Sequence, residues 1–159
     1  MSSVTFDKKL VLASANQNIN TALNKVGKIL VDSIRGSMIS GKGRRYKYGY
    51  GGGRRGHIAA LPGDPPAPYT GRLRDSIMYV VNNSGDKSSM GPNALRSDEL
   101  HVSSRISRTT HTVTVGTSVP YALYLELGVN TGSNLRAYPF LGVALKREKA
   151  AIKEAFKII

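Results

Sequence analysis

Acid–base and nucleophilic chemistry need groups that titrate near neutrality or can be activated, and this chain offers few. Its histidines are His57, His101 and His111. If Arg108 and Thr109 make a tight turn between two strands, His111 falls opposite Ile106. His101 is then five residues further along, roughly 17 Å at the strand rise, so the two do not meet. Cysteine is absent, which removes disulfides and thiolate metal sites. No His-x-x-x-His pair or carboxylate cluster completes a metal shell. Serines are many, yet none sits in a Gly-x-Ser-x-Gly turn with a histidine and an acid to complete a triad. Glu126 is the one acid in an apolar and aromatic setting. A catalytic pair needs a second carboxylate, and Asp64 and Asp75 lie on other elements. The pattern assigns Glu126 instead to a bond with an arginine or a helix end, within the subunit or across to a neighbour. It predicts no enzyme, no cofactor and no metal.

A phosphate-binding reading fails on the same scrutiny. Gly36-x-x-x-x-Gly41-Lys42 matches most of a phosphate-cradling loop, but Gly43 replaces the Ser or Thr whose hydroxyl holds magnesium. Such a loop follows a strand and opens a helix, whereas this one closes a helix and runs into glycine. The chain then enters a basic stretch, 41–57, holding Lys42, Arg44, Arg45, Lys47, Arg54 and Arg55 with no acid. Its glycines make ordering costly, which predicts a mobile arm. Tyr46, Tyr48 and Tyr50 between the cations suit stacking on bases or on a partner's side chains. The whole chain carries a formal charge of +13, which favours nucleic acid, an anionic membrane or an acidic protein surface as partner.

The elements that must position these residues read as one α+β domain of 159 residues, a length that buries a real core. Ile19, Leu23, Val26, Leu30 and Ile34 share a face, with Ala22 and Ile29 beside them, predicting a helix over 14–39. Gly27 inside it costs about 1 kcal/mol relative to alanine. Pro62, Pro65, Pro66 and Pro68 make 62–70 a stiff extended connector. Leu73 to Val81 reads as a helical turn followed by a strand, with Ile77, Tyr79 and Val81 on one face. Asn82 to Arg96 is a long loop. Leu100, Val102, Ser104 and Ile106 alternate with polar residues as a half-buried strand, and 110–117 returns as its hairpin partner. Pro120 then opens a short helix closed by Gly128. On it Tyr121, Tyr124, Leu125 and Gly128 share a face, with Glu126 pointing elsewhere. Pro139 opens a long terminal helix whose apolar stripe is Leu141, Ala144, Leu145, Ile152, Ala155, Phe156 and Ile159. The expected fold is a small antiparallel sheet of three to four strands packed against a long N-terminal helix and a C-terminal helix, with a long basic glycine-rich loop. No apolar run is long enough to span a membrane and no leader precedes the first helix, so the chain reads as soluble and unexported.

Pro120-Tyr121-Ala122-x-Tyr124-x-Glu126-x-Gly128, followed by Pro139-Phe140-Leu141 and a terminal helix, resembles the carboxy-terminal signature of a bacteriophage family. These are the tail-completion or head–tail connector proteins of long-tailed phages, often labelled minor tail components. A second block, Gly63 to Ile77, is similar to the family's Gly-x-Pro-Pro-Ala then Thr-Gly-x-Leu-x-x-Ser-Ile pattern. Two positions depart from it: Tyr138 stands where the family commonly has Arg, and Val129 where it often has Thr. The resemblance implies a virion neck protein assembled in the host cytoplasm. Its partners would be copies of itself in a ring, a hexamer by the usual symmetry of the tail, head-side connector proteins, and the tail tube or tail terminator, with double-stranded DNA passing through. It implies an assembly role for Tyr121, Tyr124, Glu126, Gly128, Pro139 and Phe140. A lumen lined with phosphate-binding cations would grip DNA and oppose its release, so the basic arm fits protein interfaces better than the channel wall. The competing reading is a nucleic-acid-binding module that uses the arm as a single-strand platform.

Overall fold

The computed structural model describes residues 8–39, 41–43, 45–48, 55–81, 87–88, 111–129 and 136–157. They form an α+β fold in the order α1 (Lys8–Ser37), β1 (Arg45–Tyr48), β2 (Arg55–Ile58), α2 (Arg72–Ser76), β3 (Met78–Val81), β4 (Lys87–Ser88), β5 (Val113–Gly116), α3 (Ala122–Leu127), α4 (Leu141–Arg147) and α5 (Lys149–Ala155). β1 and β2 pair as an antiparallel ladder of their own. β4, β3 and β5 make an antiparallel sheet in that order, with Tyr79 opposite Val115 and Val81 opposite Val113. The strand expected over Leu100 to Ile106 lies outside the described residues.

α1 begins earlier than periodicity predicts because 8–13 contains no glycine or proline to stop a helix that is already propagating. Leu12 in this added stretch is 54% exposed, and Lys9 and Ala13 are exposed as well. At the other end the Ser37 hydroxyl donates to the Ile34 carbonyl at 2.7 Å, and the helix stops two residues short of Ile39. Ala22, Leu23, Val26, Leu30, Val31 and Ile34 form its buried face, which Met38 continues one residue past the helix end. Leu23, Val31, Ile34 and Met38 pack in one cluster with Ile77, Tyr79 and Val81 of the β3 segment, the face that alternation picks out, while Val26 and Leu30 pack with Ala155 of α5. Arg35 donates to the carbonyls of Asp75 and Ile77 at 3.3 and 2.7 Å, pinning the start of the strand to the end of the helix.

Gly27 explains how closely helix and sheet meet. A Cβ built there would stand 2.3 Å from the ring of Tyr79. The residue that weakens the helix by propensity is therefore what lets the aromatic ring lie against its backbone.

The terminal helix departs from expectation. It is two short helices, α4 and α5, joined at Glu148 (φ −88°, ψ 7°), although the N–H of Glu148 still reaches the Ala144 carbonyl and that of Ile152 the Glu148 carbonyl, both at 2.9 Å. Among the described residues of the predicted stripe only Ala144 and Ala155 are fully buried, while Leu145 is 56% and Phe156 41% exposed. Small side chains at the contact allow a close approach to α1 and leave the bulky ones at the rim. The break falls where a polar clasp grips α1. The Ser33 hydroxyl donates to Glu148 Oε1 at 2.6 Å, and Arg147 reaches the Ser33 carbonyl at 2.6 Å and Glu148 at 3.2 Å.

Two measurements test this packing. Gly27→Ala should lower stability by about 1–3 kcal/mol in urea unfolding, because overpacking against Tyr79 outweighs the propensity gain of about 1 kcal/mol; Tyr79→Leu in the same chain should recover part of the loss. The hydrogen bonds from Ser33 and Arg147 hold the Glu148 carboxyl below its ordinary value, against an opposing push from burial. A carboxyl depressed on folding adds stability that is complete above its unfolded pKa and is lost as pH falls through the depressed folded value. The melting-temperature gap between the parent and Glu148→Gln should therefore close between about pH 5 and pH 3. A gap that stayed constant over that range would contradict the clasp.

Candidate functional site

Glu126 is the centre of the site that the carboxy-terminal third builds. The N–H of Phe140 donates to its Oε2 at 2.7 Å and that of Leu141 at 3.0 Å, while the N–H of Gly142 donates to Oε1 at 2.9 Å. A helix start leaves four backbone N–H groups without intrahelical partners, and a carboxylate there also meets the positive end of the dipole. Phe140, in the capping position of α4, has no side-chain acceptor of its own. The side chain that caps α4 therefore comes from α3, 14 residues earlier in the chain. Of the two roles read for Glu126, the helix end is the one the geometry bears out. A Cβ at Gly142 would lie 3.3 Å from Oε1, so glycine also keeps the carboxylate's approach open.

The same helix turns its apolar side chains outward. Ala122 is buried and Leu125 half-buried, whereas Tyr121 is 41%, Leu123 62%, Tyr124 54% and Leu127 70% exposed. Tyr121 and Tyr124 point away from the core, and Glu126 lies on the inner side beside Ala122 and Leu125. The stop at Gly128 is as expected, with φ 74° and its N–H bonded to the Tyr124 carbonyl at 2.9 Å. Pro139 precedes Phe140, which is wholly buried and anchors the loop in the core. Two further bonds tie this region down: the Tyr138 N–H reaches the Leu125 carbonyl at 2.7 Å, and the Gly63 N–H the Ala137 carbonyl at 3.0 Å.

The second sequence block converges on the first. Leu73 and Ile77 share one core cluster with Val119, Ala122, Phe140 and Ala144. Ser76, the only buried polar residue among those described, donates to the Leu73 carbonyl at 2.7 Å and stands 2.6 Å from the Thr117 hydroxyl. Thr117 in turn accepts the N–H of Val119 at 3.1 Å. With the Thr117 proton on the shared bond, all three groups are satisfied. Sequence reasoning missed this chain because nothing local joins residues 76 and 117.

The basic stretch supplies less to this site. Lys42 is exposed. Arg45, Lys47 and Arg55 belong to the β1–β2 ladder, in which Arg45 is opposite Ile58, Lys47 opposite Gly56 and Tyr48 opposite Arg55. Regular pairing is thus present within a stretch that composition marks as an arm. Arg44 and Arg54 lie outside the described residues. The loop that mimics a phosphate cradle is spent on packing: the Gly43 N–H donates to the Ala59 carbonyl at 2.8 Å, and a Cβ at Gly41 would meet that oxygen at 2.0 Å. His111 is exposed, and the described residues contain no group of three or more His, Asp or Glu able to hold a metal ion. No described helix is long and apolar enough to cross a membrane.

Glu126→Ala should cost about 2 kcal/mol of stability, since three partly buried amides lose their acceptor. The loss should be local in hydrogen exchange, with the amides of Phe140, Leu141 and Gly142 speeding up before those of α1. Glu126→Gln, which turns one of its two oxygens into a donor, should fall between. No family model, curated protein or solved structure matches this chain.

Proposed function

We propose that this chain is a structural protein of the phage neck, a ring subunit that completes the tail and joins it to the DNA-filled head, acting by docking and without catalysis. The observation that carries the reading is an outward apolar helix on a fixed base. Four large side chains of the α3 segment stand exposed while its carboxylate is bonded to the start of α4. A helix serving only the core would bury such side chains, and clustered apolar surface on a soluble domain marks a place for a partner. Support also comes from the meeting of the two resemblance blocks in one core cluster. The finer fold, a small antiparallel sheet of three to four strands packed against a long N-terminal helix and a C-terminal helix, belongs to the same reading.

In this reading the α3 face meets neighbouring copies, the ring being a hexamer, and the ring joins head-side connectors to the tail tube or terminator. Closed heterologous contacts generate such a ring. The α3 face suits contact between like-charged copies because its exposed side chains carry no charge. The basic stretch then serves acidic neighbours, and DNA passes without being gripped.

Leu123→Asp with Leu127→Asp tests the proposal, since both side chains are exposed and the fold should survive. The parent should enter a larger species when sized with tail tubes, and should do so more readily as salt screens its charge. The variant should stay small, and tails lacking the protein should fail to join filled heads. Normal joining without the protein, or by the variant, would overturn the reading. Tight duplex binding at about 0.2 M salt, lost on deleting 41–57, would instead favour the nucleic-acid module.

A further inference from the structure

A cavity lies between the proline connector and α3. Its volume is about 380 Å³, and Met38, Leu73 and Leu125 line it together with Pro66 and Pro68. Met38 is 1% and Leu73 8% exposed, so these two belong to the molecule's own core. A volume near the lower end of binding pockets fits one large apolar side chain with its flanking backbone.

Charge selects the occupant. Among the described residues the lining includes Arg72 and Arg74 and no Asp or Glu. Arg74 is already paired with Asp75 at 3.1 Å, but Arg72 is exposed and makes no salt bridge among the described residues. Its backbone N–H is held by the Thr70 hydroxyl at 3.3 Å, which fixes where the side chain starts. An apolar well beside an uncommitted guanidinium suits a segment that offers an apolar anchor and a carboxylate together. A second copy of this chain is a poor occupant, since each copy carries +13.

We infer that this groove is a docking site for an acidic, extended segment of another protein, with one large apolar side chain seated among Met38, Leu73 and Leu125 and a carboxylate on Arg72. The inference rests on the assembly reading and deepens it. The outward face of α3 meets like copies, and the groove beside it takes the acidic neighbour. The connector suits this task, because its prolines hold the wall of the groove without offering a ladder for strand addition.

The test uses the full chain and three fluorescein-labelled ten-residue peptides. One is acidic with a central phenylalanine, one has alanine at the centre, and one has lysine in place of every acid. At about 0.05 M salt, where charge pairs are weakly screened, the first should bind by fluorescence anisotropy. The other two should bind at least about tenfold more weakly, as expected for losing an anchor or a charge pair. Arg72→Glu should weaken the acidic peptide by a similar factor and strengthen the lysine peptide, a reversal that mere misfolding does not produce. Equal binding of the phenylalanine and alanine peptides, no binding at all, or binding that survives Arg72→Glu and disappears on deleting 41–57, would overturn the inference. The ring reading fails separately: Leu123→Asp with Leu127→Asp should leave peptide binding intact while abolishing assembly. A chain that binds the peptide yet never assembles keeps the groove and loses the ring.

Discussion

The organisation of the carboxy-terminal third depends on one carboxylate meeting three backbone amides. Without Glu126, α4 would begin with N–H groups that no side chain of its own accepts, and α3 would rest on Ala122, Leu125 and the buried Phe140 beyond it. Six residues make a helix too short to hold itself in water. Its shape is therefore set from outside, by the bond to α4 and by the Tyr138 N–H on the Leu125 carbonyl. A surface-exposed apolar helix normally risks collapse onto the nearest core. Here the polar tie fixes its inner side, so the outer side stays available.

The amino-terminal two-thirds obeys a different constraint, which is distance. Helix α1 approaches the sheet as closely as Gly27 and the ring of Tyr79 permit, and the chain just beyond its end crosses the backbone at Ala59 as closely as Gly41 permits. Arg35 and the Ser33–Arg147–Glu148 clasp then fix the helix lengthwise. Apolar area supplies most of the attraction, but it is indifferent to sliding. The polar contacts are what set the register.

What the sequence made legible is local. The α1 stripe, the turn-then-strand order over Leu73 to Val81 and the stop at Gly128 are all written in spacings of a few residues, and the structure agrees with them. Val31, wholly buried, widens the stripe beyond a strict three-and-four pattern, whereas buried Met38 continues that pattern four residues past Ile34, just beyond the end of the helix. The partners of Glu126 were narrowed to two kinds and not identified. The clasp between Ser33 and Glu148, 115 residues apart, left no local trace. The terminal helix misled for a related reason. Periodicity marks which side chains share a face, but the alanines decided how closely that face packs, and close packing left Leu145 and Phe156 outside.

Net charge of +13 and an uncharged apolar face impose opposite requirements on one molecule. Copies repel at long range, so the contact that the proposed ring requires would favour a surface where local charge is least, and α3 presents one because its only acid is bonded to the start of α4. Attraction of an acidic partner requires a cation that is not already paired, and among the described residues Arg72 makes no salt bridge while Arg74 is paired with Asp75. The two surfaces share Tyr121, which is exposed at the start of α3 and also lines the groove. On the proposed assembly, an occupant of the groove would touch the edge of the face offered to a neighbouring copy.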